Sequence, residues 1–340
     1  MFNLENIVRK NILHLMPYSS ARNEFSGKNG TFLDANENPF GTLNRYPDPY
    51  QMELKQILSA YKSIPLENIF IGNGSDEIID LAFRIFCTPG KDKALTFSPT
   101  YGMYDVSAAI NEVELIKLPL NDSFQINQEE FEKTLKIPNL KLIFICSPNN
   151  PSGNCIDNIE KIMQNFNGIV LVDEAYIDFS KQESYLSKLK QYPNLIVSQT
   201  FSKAWGLAAA RVGIAYANNP IISIFNKVKP PYNVSKLNQE AAIDALNNKV
   251  DFEKNKKIIL DQKKWLEQAL MELPVIKKIY PSDANFLLAE TTNANSIYNQ
   301  LVSQKVITRN RNNIVNNCIR ITVGSPAENQ QLINALKNTI

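Results

Sequence analysis

The sequence predicts an α/β protein of two domains: a larger one built on a sheet with parallel segments, and a smaller α+β unit behind it. Three observations lead there. Short apolar runs alternate with amphipathic stretches from about residue 68 to residue 200, the pattern of strands joined by crossover helices. Each of these runs ends in a turn that carries chemically useful side chains. Beyond Asn238 the character changes to long helices interleaved with isolated strands. A chain of 340 residues is long enough for two domains sharing a large core.

In chain order, residues 1–30 read as an arm. Residues 7–15 make one or two helical turns, Pro17 stops them, and a loop follows with Tyr18 and Arg22 close together. The larger domain is expected over residues 31–238. Residues 31–35 read as a short strand entering a turn of Asn36, Glu37, Asn38 and Pro39, and Arg45-Tyr46-Pro47-Asp48-Pro49 as a second rigid turn. Residues 50–61 form an amphipathic helix. Residues 68–84 hold a strand, the turn Gly72-Asn73-Gly74, and a helix opening at Ser75-Asp76. A helix entered in this way presents free N–H groups and the positive end of its dipole, which suits a phosphate. Capping by Asn73 or Ser75 accounts for the same residues equally well, and neither the Walker A nor the GxGxxG pattern is met.

Residues 94–97 read as a buried strand that delivers Tyr101 to its mouth, where a ring can stack on a planar ligand or cover the sheet edge. Residues 141–146 form the next strand, left through the stiff turn Ser147-Pro148-Asn149-Asn150-Pro151. Residues 168–172 are a fully apolar strand running straight into Asp173-Glu174-Ala175-Tyr176. A carboxylate there is costly unless it meets a cation or a donor. Residues 194–198 form a further strand, followed by Thr200-Phe201-Ser202-Lys203. The smaller domain is expected over residues 239–340. It has helices at 239–246, 251–273 and 296–304, strands at 275–280 and 285–289, and a strand at 317–324 with Arg320 among apolar neighbours.

Ligands of such sheets gather at the carboxyl ends of the strands. Gly74, Tyr101, Asn150, Asp173 and Lys203 all fall at such ends. Lys203 has no carboxylate beside it in sequence, and Ala204, Trp205 and Leu207 are apolar. Burial there would disfavour the ammonium form and free a neutral nucleophile. Thr200, Ser202 and Arg211 can hold a phosphate next to that amine.

Composition narrows the chemistry. A net charge of +2, with no dense basic run, gives no electrostatic case for nucleic acid or an anionic membrane. The N-terminus has no secretory pattern, and no apolar run approaches the ~20 residues that span a bilayer. Cys87, Cys146, Cys155 and Cys318 form no metal or redox motif, so reduced thiols and a cytoplasmic location are expected. His14 is the single histidine, which rules out multi-imidazole zinc sites, and histidine acid–base chemistry is not the expected engine. No metal site is expected.

A lysine amine, a phosphate cradle, a carboxylate, a phenol and a stacking ring together suit pyridoxal 5′-phosphate. Lys203 would form the Schiff base, and Asp173 would keep the pyridine nitrogen protonated. Tyr176 and Asn150 would bond the ring oxygen and Tyr101 would stack. Backbone at Gly74, Ser75 and Asp76, with Ser202 and Arg211, would bind the phosphate.

The motifs Ser147-Pro-Asn-Asn-Pro-Ser-Gly153, Val172-Asp-Glu-Ala-Tyr176 and Ser202-Lys-Ala-Trp-Gly-Leu-Ala-Ala-Ala-Arg211 resemble those of fold-type I aminotransferases. More narrowly, Pro17-Tyr-Ser-Ser-Ala-Arg22, Asn36-Glu-Asn-Pro39, Arg45-Tyr-Pro-Asp-Pro49, Ser98-Pro-Thr-Tyr-Gly-Met-Tyr104 and Ile319-Arg-Ile-Thr-Val-Gly324 resemble the histidinol-phosphate aminotransferases. The chain departs at Ala208-Ala-Ala-Arg211, where that family often has Ala-Gly-Leu-Arg, and is trimmed near residues 310–317. The resemblance implies a seven-stranded, mostly parallel sheet and a homodimer with a shared active site, in which Tyr46 reaches the partner's cofactor phosphate. It also implies that Arg320, helped by Arg309, Tyr18, Asn36 and Asn150, binds the substrate. An aromatic aminotransferase or a decarboxylase of an amino-acid phosphate would keep every cofactor residue. A catalytically idle binding module would not need both Lys203 and Asp173.

Overall fold

A computed structural model gives the architecture, with residues 2–18 and 30–338 described. Two short helices, α1 (Leu4–Ile7) and α2 (Lys10–Leu13), lie against the large core. The expected strand at residues 31–35 is absent. The backbone instead bends at Asp34 and Ala35 and enters the turn at Asn36, with φ 54°.

The large sheet has strands β1 (Ile69–Asn73), β2 (Lys93–Ser98), β3 (Glu114–Pro119), β4 (Leu140–Cys146), β5 (Ile169–Asp173), β6 (Leu195–Thr200) and β7 (Val212–Ala217), in the spatial order β1-β7-β6-β5-β4-β2-β3. β7 is antiparallel to both its neighbours, and the other pairs are parallel. The central strands β4, β5 and β6 are mostly apolar and almost wholly buried because helices cover both faces of the sheet. One face packs under α3 (Met52–Lys62), α6 (Gln128–Thr134), α7 (Ile159–Asn165) and α9 (Lys236–Asn247). The other packs under α4 (Ser75–Phe86), α5 (Met103–Ile110) and α8 (Asn219–Val228).

The smaller unit carries α10 (Lys249–Met271), α11 (Ala294–Ser303) and α12 (Pro326–Lys337). Its four-stranded sheet is made of β8 (Ile276–Tyr280), β9 (Phe286–Thr291), β10 (Arg309–Asn310) and β11 (Cys318–Thr322), all antiparallel. Its core is separate from that of the large sheet. Helix α9 belongs with the large sheet, since Ala242 and Leu246 enter that core. We therefore put the division between the units near residue 248 rather than at 238.

Candidate active site

The carboxyl ends of β1, β2, β4, β5 and β6 open on one cavity of about 110 Å³, lined by Ser75, Asp76, Tyr101, Asn150, Asp173, Tyr176, Thr200, Ser202, Lys203 and Arg211, with Cys146, Ala175 and Ala208. Ten of the twelve expected cofactor residues thus meet at one place.

Asp173 ends β5, 2 % exposed. Its Oδ1 accepts from the Ala175 N–H at 3.2 Å and its Oδ2 from the Tyr104 hydroxyl at 2.9 Å. Burial pushes the carboxyl up to about 6, against the pull of these two donors. Tyr104 is fully buried and stacked on Phe144. Sequence reasoning gave it no role, because the bond spans 69 residues and nothing local signals it.

Lys203 follows β6, with its Nζ 5.7 Å from the Tyr176 ring centroid. Burial was expected; the residue is instead exposed in the single chain while lining the cavity. Its amine is nonetheless held below the usual lysine value, by desolvation first and then by the Arg320 charge, with Asp173 and Asp76 opposing. The neutral amine is favoured first by desolvation and then by a guanidinium that the sequence does not place nearby. Tyr176 is buried, and desolvation raises its phenol.

The α4 N-terminus forms one wall. Gly74 is its N-cap at φ 79°, with no side-chain cap, so neither Asn73 nor Ser75 answers the first-turn amides. A Cβ on Gly74 would lie 2.6 Å from Arg211 Nη2, and one on Gly213 in β7 would lie 2.4 Å from Ser75 N. These two glycines let Arg211 and the strand approach the helix end, leaving a cradle of N–H groups beside a guanidinium. Arg211 pairs with Asp76 Oδ2 at 3.1 Å, and Tyr101 donates to Asp76 Oδ1 at 3.0 Å. The Ser202 N–H donates to Thr200 Oγ1 at 3.1 Å. In the Ala208–Ala210 turn Ala209 is exposed, Ala208 lines the cavity and Ala210 packs against the large core.

Asn149 is the structural half of the double asparagine. It accepts from Thr100 Oγ1 at 2.8 Å and donates to the Pro99 carbonyl at 2.9 Å, tying two loops together. Asn150 is left facing the cavity, and its Oδ1 accepts from Arg320 Nη1 of the small sheet at 2.5 Å. Arg309 sits directly opposite Arg320 across β10 and β11, exposed.

Three expected residues lie elsewhere. Tyr18 is exposed in the arm, and Arg22 falls outside the described residues. Asn36 and Tyr46 line a second cavity of about 460 Å³, where Tyr46 stacks on Tyr232 with centroids 4.3 Å apart. Asn36 therefore lies in a different cavity from Lys203 within its own chain.

A phosphorylated pyridine aldehyde suits this donor set: an amine, a buried carboxylate across the cavity, and an uncapped helix end with an arginine. The family of class I and II aminotransferases matches residues 21–336. The histidinol-phosphate aminotransferase of Cytophaga hutchinsonii is 50 % identical over 99 % of both chains. The fold is shared with the histidinol-phosphate aminotransferase of Sinorhizobium meliloti solved in complex with pyridoxal-5′-phosphate (TM-score 0.79, 24 % identity, 87 % of this chain and 82 % of that one). It is also shared with L-threonine-O-3-phosphate decarboxylase of Porphyromonas gingivalis (TM-score 0.71, 24 % identity, 87 % and 90 %). This chain belongs to the class I and II aminotransferases and, within them, to the histidinol-phosphate aminotransferase family.

Proposed function

We propose that the chain transfers the amino group of L-histidinol phosphate to 2-oxoglutarate, giving 3-(imidazol-4-yl)-2-oxopropyl phosphate and L-glutamate, with pyridoxal 5′-phosphate as cofactor. The observation that carries this reading is the shared cavity of Lys203 and Asp173, joined through Asn150 to Arg320. When bound, the cofactor supplies an aldehyde that takes up the amino group and a ring that draws electrons from the substrate's α-carbon.

The chain's own residues do the rest. Lys203 Nζ anchors the cofactor, then as a neutral amine removes the α-carbon proton and later delivers it. Asp173 stays ionised against the ring nitrogen. Tyr176 and Asn150 hold the ring oxygen, and Tyr101 covers the ring face. The phosphate sits on the amides of Gly74, Ser75 and Asp76, with Thr200, Ser202 and Arg211. Arg320, with Arg309, takes the anionic end of either substrate, since a planar guanidinium pairs with carboxylate or phosphate. Tyr18 and Asn36, which lie away from this cavity in the single chain, join it from a second copy.

The working unit is a homodimer in which Tyr46 completes the partner's phosphate site. Support comes from the position of Tyr46 outside its own Lys203 cavity, in a cavity it shares with exposed Leu43 and Leu237. The location is cytoplasmic, consistent with four cysteines that are all free and buried.

The test is a substrate screen with the cofactor-loaded chain. L-Histidinol phosphate with 2-oxoglutarate should yield glutamate, and phenylalanine, tyrosine and threonine phosphate should react at least about tenfold more slowly. Release of carbon dioxide from threonine phosphate, or phenylalanine as the faster donor, would overturn the reading.

A further inference from the structure

The small sheet has two unlike faces. Ile319 and Ile321 of β11, with Leu287 and Ala289 of β9, enter the apolar core beneath α10, α11 and α12. Strand alternation turns Cys318 and Arg320 to the opposite face, toward the large sheet, where Arg320 bonds Asn150 and lies 5.2 Å over the Phe286 ring. Arg309 is the Cα partner of Arg320. The Arg311 N–H donates to the Cys318 carbonyl at 2.9 Å, so Arg311 comes up on this same face two residues along from Arg309.

Three guanidiniums therefore share one face, and no carboxylate pairs with them among the described residues. Each is a fork of N–H donors. Among the described residues one side-chain hydrogen bond, Arg320 to Asn150, engages any of them, and none is in an ion pair. The Nε atoms of Arg311 and Arg320 are buried with no acceptor. Burial and the neighbouring guanidiniums hold Arg311 below its ordinary value, with only Tyr176 opposing. Glu290, opposite Cys318, is faced by Lys278 across the next strand and accepts from the Tyr280 hydroxyl at 3.5 Å. It does not serve the arginines.

Such a face is completed by an anion. One carboxylate balances one of three charges, whereas a phosphate monoester carries close to two at neutral pH and offers three acceptor oxygens. Resting on the function proposed above, we infer that Arg311 is the third guanidinium of the distal-anion site, a specificity-determining residue that tilts the site toward the phosphate monoester over the carboxylate substrate.

The test compares holoenzyme variants Arg311→Gln and Arg311→Lys with the wild type. The Gln variant should raise KM for L-histidinol phosphate about tenfold, the worth of one charge-assisted hydrogen bond. It should leave kcat and the KM for glutamate nearly unchanged, with Lys intermediate. Inorganic phosphate should compete less well against glutamate in the Gln variant, while glutarate competes as before. Equal losses on both substrates, or an unchanged phosphate competition, would overturn the assignment. Should the Gln variant fail to fold, the Lys variant carries the same comparison. A wild-type chain inert toward L-histidinol phosphate would instead sink the functional reading, and phosphate competition would still decide the role of Arg311.

Discussion

Tyr104 donates a hydrogen bond of 2.9 Å to Asp173 Oδ2, and both side chains are buried. The donor favours the ionised carboxylate and works against the burial that lifts it to about 6. Tyr104→Phe removes that help, so the carboxyl should titrate higher than in the wild type. An ionised Asp173 is what holds a protonated ring nitrogen, so cofactor affinity should fall off at a higher pH in the variant. Spectrophotometric titration of cofactor-free protein with pyridoxal 5′-phosphate across pH 5–8 measures this. The ligand's own titration cancels in the comparison, and coincident curves would show that Tyr104 is only filling space.

Asp173→Asn keeps the shape and the acceptor for Tyr104 but removes the charge. Turnover should fall by about two orders of magnitude, as when a group stabilising developing charge is removed, with the fold retained by circular dichroism. Activity within a few-fold of wild type would contradict the role given to the carboxylate.

Glu174, next in sequence, is a different case. Its Oε2 accepts from Gln199 Nε2 and Ser184 Oγ, and its Oε1 from the Tyr185 N–H, tying the end of β5 to β6. Burial raises it from the usual glutamate value to about 7 despite these donors. A folded value above the unfolded one is a stabilising contribution present below about 4.5 and lost as pH rises through about 7. Glu174→Gln removes that dependence. The Tm of the variant relative to the wild type should therefore increase steadily between pH 4.5 and pH 8, by differential scanning calorimetry. A flat difference would mean that Glu174 is not titrating in that window.

Gly213→Ala places a methyl against the backbone of Gly74 and Ser75. Overpacking there should cost about 2–3 kcal/mol in urea unfolding, and cofactor affinity should fall with it as the helix end is pushed away. Full stability with full affinity would show that the cradle has slack.

How much of this was legible in the chain depended on how local each signal was. The strands β1, β2, β4 and β5 announce themselves as apolar runs closed by Gly, Pro, Asn or Asp, and β6 as an apolar run opening after Pro193-Asn194. The cavity follows from where they end. β3 was missed because, at the sheet edge, its residues are half exposed and include Glu114 and Lys117. β7 was missed because Gly213, Ala215 and Ala217 have little strand preference of their own, and its place between β1 and β6 is imposed by packing. The same division runs through the site. Lys203, Asp173 and Asn150 sit in readable turns, whereas Tyr104 and Arg311 gain their surroundings from partners far along the chain. The exposure of Lys203 was misjudged, since apolar neighbours in sequence do not enclose a side chain that faces an open cavity.

Where the cofactor becomes attached is the most direct question. Cofactor-loaded protein reduced with borohydride, digested and mapped by mass spectrometry should carry the reduced pyridoxyl phosphate mass on Lys203. Lys203→Ala should carry none and lose turnover. A label on another lysine, or unimpaired transamination by Lys203→Ala, would contradict the role assigned to this amine.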